Sequence, residues 1–321
     1  MKWRDDAGAA LLTTLIIVAA LSAISVAAIA DMQRSSRVSA NASSVSQGQW
    51  YAIGAEAFAL ITAEDLVSGV LPRTALAGPP RTATFPLDNG IMRVAVRDGS
   101  TCINLNGVVA GAGDIFEREE TGAAQLAALM ESQGIPGGRA AELIDALVAW
   151  IDTDGGSIGS DDAPYAQANP PYLTGREPLA ELSEARAIRG FTPEIMDRLR
   201  PWACALPQVG KSRINLNALT AQQAPVLVAA SEGRIDLRQA QEMIRRRPAA
   251  GWQSIGEAFA DPAMTTLQLP EEVISSFTLD TRFLAIDVLV THGDAEVAMS
   301  GLLVRSGSGF VTAARRWTED T

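Results

Sequence analysis

The densest group of side chains able to do chemistry in this sequence is acidic. Trp150-Ile151-Asp152-Thr153-Asp154-Gly155-Gly156 runs into Asp161-Asp162, then Tyr165, Asn169 and Tyr172, with Glu181 and Glu184 a short distance on. Carboxylates this crowded repel one another unless a cation neutralises them. A glycine-rich loop lets backbone carbonyls turn inward beside them, and calcium takes about six to eight such oxygens. Asp152, Asp154, Asp161, Asp162 and Glu184 are therefore the candidate ligands of a Ca2+ ion. The spacing is not that of an EF-hand, because Gly156 stands at the fifth loop position and Ala163 where a twelfth-position glutamate belongs. A merely solvated acidic loop is the competing reading.

Paired carboxylates can also serve as acid and base in glycoside hydrolysis, but nothing else in the chain supports an enzyme. Aromatic residues make up only 5% of it, and no G-x-x-x-x-G-K loop occurs. One histidine, His292, and two cysteines, Cys102 and Cys204, exclude most zinc frameworks and leave very little material for a histidine-based triad. The net charge of −11 and the presence of only Lys2 and Lys211 argue against nucleic acid as a partner. The single basic run, Arg245-Arg246-Arg247, suits a helix C-terminus before Pro248.

The elements that must position these groups begin with a membrane-length segment. Residues 9–30 carry no charge, and as a helix they can cross a hydrocarbon core of roughly 30 Å. Lys2 and Arg4 precede the span and Arg34 and Arg37 follow it, so the cationic count is nearly tied and the free amino terminus tips the orientation towards N-inside. Alternatively, Ala28-Ile29-Ala30 could be cut as a signal-peptide site, releasing a secreted calcium-binding protein or hydrolase. Residues 31–66 contain no proline, and Trp50, Ile53, Ala57, Leu60, Ile61 and Leu66 keep near-helical spacing, which predicts that the helix continues beyond the membrane.

A β-hairpin is predicted over 82–87 and 91–96 around Asp88-Asn89-Gly90. From 103 to about 275 the pattern is helical, with 123–133, 138–151, 193–199, 221–230 and 237–247 as candidate helices. Strands return at 283–291, 295–305 and 310–316, with turns at 292–294 and near 307–309. The class is α+β. Ile-Asn-Leu-Asn occurs at 103–106 and again at 214–217, indicating a degenerate internal repeat. A helix-hairpin-helix module would need a glycine-rich hairpin, where this chain has Ser231-Glu232-Gly233-Arg234, so the asparagines are assigned to fixing turns and capping helices. The two cysteines flank the helical stretch. In an exported chain they pair by default, and a Cys102–Cys204 bridge closing about 100 residues is worth about 4 to 5 kcal/mol in the chain-entropy model. In a cytosolic chain they would be unrelated buried thiols.

The leader MKWRDDAG, ending at Gly8, and the long half-apolar helix after it resemble the class III signal of type IV pilins and pseudopilins. That resemblance implies a prepilin peptidase cutting after Gly8, with Ala9 as the mature, methylated first residue. The pilin families carry glutamate at the fifth mature position, and Thr13 stands there in this chain, as in the K minor pseudopilins of the type II secretion system. Further matches to that family are QWYAIGAEA at 49–57, FPLDNG at 85–90, CINLN at 102–106, AWID at 149–152, RPWACALP at 200–207 and INLN at 214–217. The resemblance implies a pseudopilin fold, a long N-terminal helix on a small antiparallel sheet, with a large inserted α-helical domain. The expected divisions are leader 1–8, membrane helix 9–30, amphipathic helix 31–69, first strands 70–101, inserted domain with its calcium loop 102–275 and last strands 276–317. It further implies a non-enzymatic subunit at the tip of a periplasmic fibre, anchored once in the inner membrane with its large domain periplasmic. The implied partners are the minor pseudopilins I and J, then H and the major pseudopilin G.

Overall fold

A computed structural model describes residues 3–67, 71–113, 115–152, 162–260, 268–307 and 309–318, with side chains from residue 9 onward. The chain opens with α1 (Trp3–Val67), a single helix of 65 residues that is about 100 Å long at 1.5 Å per residue. It joins the membrane-length segment and the following stretch without a break, as the absence of proline predicts.

The second half of α1 lies on a five-stranded antiparallel sheet of β1 (Arg81–Leu87), β2 (Gly90–Asp98), β9 (Phe283–His292), β10 (Ala295–Ser306) and β11 (Gly309–Arg316), in the order β1-β2-β9-β10-β11. Its buried stripe is made of small residues. Gly48, Ala52, Ala55, Ala59 and Ala63 face the sheet, whereas Trp50, Ala57 and Ile61 are exposed. The reason is close approach: a Cβ on Gly48 would lie 2.9 Å from Val297 Cγ2, so only small residues fit between helix and strand. Leu284, Ile286, Val288 and Val290 of β9 complete this core with Val94, Met299, Leu303 and Phe310.

Between β2 and β9 comes the inserted domain, made of β3 (Ile103–Asn104), β4 (Val109–Ala112), β5 (Ile115–Arg118), α2 (Glu120–Ser132), α3 (Gly137–Ile151), α4 (Ala163–Ala166), α5 (Pro193–Leu199), β6 (Ala203–Cys204), β7 (Ile214–Asn215), α6 (Ala224–Ala230), α7 (Leu237–Arg246), α8 (Ile255–Phe259), α9 (Glu271–Ile274) and β8 (Phe277–Thr278). The five expected helices are present, with residues 221–223 forming a 3-10 turn before α6. The domain is not purely helical, however. A hairpin pairs β4 with β5, and two parallel bridges pair β3 with β6 and β7 with β8. Strands of two to four residues are too short to show periodicity, and the bridges join segments far apart in the chain.

One apolar core runs through the whole insertion, from Leu126, Leu143 and Leu147 to Leu227, Met243 and Trp252. Helix starts are chemically marked: Thr192 accepts from Ile195 N before Pro193, and Asp236 forms a capping box with Gln239. Helix α2 enters against the first Ile-Asn-Leu-Asn turn so closely that a Cβ on Gly122 would meet Gly107 O at 1.9 Å.

Candidate functional site

The two Ile-Asn-Leu-Asn copies each begin a unit that ends in a parallel bridge. Ile103 and Asn104 pair with Ala203 and Cys204, and Ile214 and Asn215 pair with Phe277 and Thr278. In both copies the first asparagine accepts from the backbone of the second, Asn106 N at 3.2 Å and Asn217 N at 3.0 Å. The second asparagine clamps a distant backbone. Asn106 accepts from Leu179 N and donates to Leu179 O and Leu206 O, and Asn217 accepts from Trp252 N and donates to Trp252 O. The turn-fixing role holds for Asn104 and Asn215, while Asn106 and Asn217 are long-range ties rather than helix caps. Beside the first bridge, Cys102 and Cys204 form a disulfide with Cα atoms 5.8 Å apart. Arg247 is turned away from its helix end, donating to Leu216 O and Leu219 O of the second turn, whereas Arg245 and Arg246 pair with Glu242.

Asp98 stands where the sheet meets this insertion. It is buried, and its carboxylate accepts from Thr281 Oγ1 at 2.6 Å, Asn215 Nδ2 at 2.9 Å and Ser100 N at 2.6 Å. Burial outweighs these bonds and pushes its pKa above the usual carboxylate range.

The acidic segment starts at Asp152, which ends α3 with its N–H on Val148 O. Asp154 and Asp161 lie outside the described residues. Asp162 is buried, with Oδ1 accepting from Thr174 N and Oγ1 and Oδ2 from Arg176 at 2.8 Å. These bonds, those of Thr174 first, hold its pKa below the usual range. Glu184 Oε2 accepts from Ala180 N, and Glu181 accepts from Ser183 and meets Arg316 at 3.0 Å. Among the described residues no group of three or more His, Cys, Asp or Glu is arranged to hold a metal ion. The described acids alone thus do not fit a cation site, since Asp162 and Glu184 are engaged by protein donors. What the segment has is a tied base: Arg176 N donates to Trp150 O at 2.9 Å, and Trp150, Tyr165 and Tyr172 pack ring against ring. Thr174 and Arg176 were not legible as partners of Asp162, because nothing at separations of 12 and 14 residues marks them.

On α1, Gly8 and Ala9 lie within the helix, and Thr13 Oγ1 donates to Ala10 O at 2.9 Å. Large apolar side chains from Leu11 to Ile29 are exposed, so the one helix long and apolar enough to cross a membrane among the described residues keeps its apolar stretch off the protein core. Further along, Glu56 is buried against the sheet and takes a two-pronged contact from Arg315 (2.6 and 2.8 Å) and the Thr312 hydroxyl at 2.6 Å. The Arg315 hydrogen bonds chiefly lower its pKa. A lone acid on an alanine face was the available signal for this tie.

The comparisons with known proteins agree with this architecture. The family described as Type II secretion system (T2SS), protein K matches residues 101–208 and 214–278, which are the two Ile-Asn-Leu-Asn units and together more than half of the chain. Type II secretion system protein K of Aeromonas hydrophila is 28% identical over 98% of this chain and 97% of its own length, and that of Klebsiella pneumoniae is 29% identical over 97% and 96%. Among solved structures, a chain of the GspK-GspI-GspJ complex of the enterotoxigenic Escherichia coli Type 2 Secretion System superposes with a TM-score of 0.69 at 26% identity, covering 85% of this chain and 96% of that one. With its helix, sheet and two inserted units matched end to end, the chain belongs to the type II secretion system protein K family and is a minor pseudopilin.

Proposed function

We propose that this pseudopilin caps the secretion fibre and initiates its assembly, supporting export of folded proteins across the outer membrane. The observation that carries the reading is Thr13. Its hydroxyl is turned onto its own helix, and residues 9–30 contain no acid. In an apolar fibre core an unpaired charge is costly, so a subunit lacking the acid cannot neutralise the amino terminus of a subunit stacked above it. The inserted domain adds a steric block in the same direction.

Partners corresponding to I and J are proposed from the solved complex, with H and the major pseudopilin G below. Trp50, Phe58 and Ile61 on α1, exposed at 65%, 55% and 79%, offer neighbouring helices an apolar face. Processing after Gly8 by a prepilin peptidase and inner-membrane anchoring with the large domain in the periplasm complete the proposal. N-terminal sequencing should find Ala9, whereas Asp31 would mean signal-peptide cleavage. Quantitative labelling should find this chain far below the major subunit, and a ratio near unity along the shaft would overturn tip placement. Thr13→Glu should not convert it to an elongating subunit, because the steric block remains.

A second proposal is that the loop after α3 binds Ca2+ through Asp152, Asp154 and Asp161, while Asp162, tied to Thr174 and Arg176, holds the loop's far end. The tied base favours it, since an anchored loop loses less freedom on ordering its ligands. Bound ion would supply charge neutralisation and no chemistry. Calcium should raise the melting temperature of the full chain in detergent; equal melting with calcium and with excess chelator sinks the site.

A further inference from the structure

The joint between sheet and inserted domain holds a half-open cleft of about 400 Å³. The chain crosses the joint twice, after β2 and before β9, and the walls come from both crossings, from the link between the two units and from the end of β10. Three guanidinium groups, Arg213, Arg282 and Arg305, line it together with Gln208 and Ser100. In a chain of net charge −11 this concentration of cations stands out.

Their charges are poorly answered from within. Arg305 pairs with Glu64 at 2.8 Å. Asp280, the acid in the wall, lies 3.5 Å from Arg73. Arg213 and Arg282 make no ion pair among the described residues, Arg282 resting over the Phe283 ring at 5.8 Å. Arg213 and Arg282 are both exposed, so a ligand can reach them. The nearest acid inside is already engaged: the Asp98 carboxylate is held by Thr281, Asn215 and the Ser100 N–H, with the buried Ser100 side chain against it.

We propose that this cleft binds a carboxylate-bearing ligand, with Arg213 and Arg282 as its charged anchors. Planar guanidinium forks match carboxylates two bonds at a time. None of the wall residues belongs to a helix, so the backbone device of most phosphate sites is lacking. The carboxylates come either from a free polycarboxylate or from an acidic segment of a protein partner, and both would bridge the two crossings, stiffening the head on the fibre stem.

Titration calorimetry on the detergent-solubilised full chain at low salt, with citrate and with an acetylated Glu-Asp-Glu-Asp peptide as probes, tests this. The combined change Arg213→Gln with Arg282→Gln should weaken binding by at least about tenfold, the scale of one charge-assisted bond. Arg238→Gln, exposed on α7 outside the cavity, should bind like the unaltered chain. Tighter binding of the peptide assigns the site to a protein segment, and tighter binding of citrate assigns it to a free polycarboxylate. Circular dichroism melts without ligand establish that the variants fold, and Arg213→Gln alone serves if the pair does not. Absence of binding by either probe, or equal binding by the cavity variants and Arg238→Gln, overturns the proposal.

Discussion

The two Ile-Asn-Leu-Asn units share a turn, a clamp and a parallel bridge, yet they are closed in different ways. The first is closed on itself, by the Cys102–Cys204 bond and by Asn104, which accepts from Leu206 N and donates to Gln208 O. The second is closed on the sheet, because Asn215, at the position of Asn104, donates to Asp98 and Thr281 at the joint. The same local sequence thus makes one unit self-contained and turns the other into the connection between head and stem. The difference teaches that the turn is generic and that its first asparagine's outward contact determines the unit's task.

The largest expected effect breaks the self-contained unit. Replacing Cys102 and Cys204 together by serine removes a cross-link spanning 102 residues, worth about 4 to 5 kcal/mol in the chain-entropy model. Hydrogen exchange should rise within 103–208 well before 214–278. Equal loosening of both units would show that they unfold as one body.

The clamps come next. Asn106→Ala leaves Leu179 N and Leu179 O without a partner in a buried setting and takes from Leu206 O one of its two donors, Gln208 N remaining, for about 3 to 4 kcal/mol, whereas Asn217→Ala strands Trp252 N and O, for about 2 to 3 kcal/mol. Urea titration of both variants gives the order; a reversed order would mean that the first unit tolerates water at its clamp.

The smallest effects are in pH dependence, and the two regions should differ in sign. Asp98 has a raised folded-state pKa owing to burial, so the folded chain holds its proton more tightly than the unfolded one. Its contribution therefore falls as pH rises from the ordinary carboxylate value, about 3.9, through the raised one. Asp162 has a lowered pKa. Its contribution is fully present above the ordinary value and is lost as pH falls through the lowered one. Asp98→Asn should flatten the first dependence and Asp162→Asn the second, read from stability against pH. The same sign in both would contradict the assigned environments.

Much of this molecule was legible because local patterns suffice for it. Residues 9–30 announce a membrane-length helix by lacking charge, and the β1-β2 hairpin follows from Asn89-Gly90 between β-forming runs. The repeated Ile-Asn-Leu-Asn was visible in the sequence itself, whereas the cysteine pairing followed only on the condition of export. The buried face of α1 was not legible, because its row of small residues is set by close approach to the sheet, a Cβ on Gly48 falling 2.9 Å from Val297, while Trp50 and Ile61 stay exposed.

Chain order by itself indicated the long first helix, the five longer helices of the insertion, the strands of the main sheet and the repeated Ile-Asn-Leu-Asn, because propensity, capping and periodicity act over a few residues. Tertiary structure decided which groups meet: Thr174 and Arg176 on Asp162, Asn215 and Thr281 on Asp98, Arg315 on Glu56, and three arginines around one cavity. Those pairings join residues from 12 to 259 positions apart. Only packing of the apolar core brings them within hydrogen-bond reach, where burial and charge act on them.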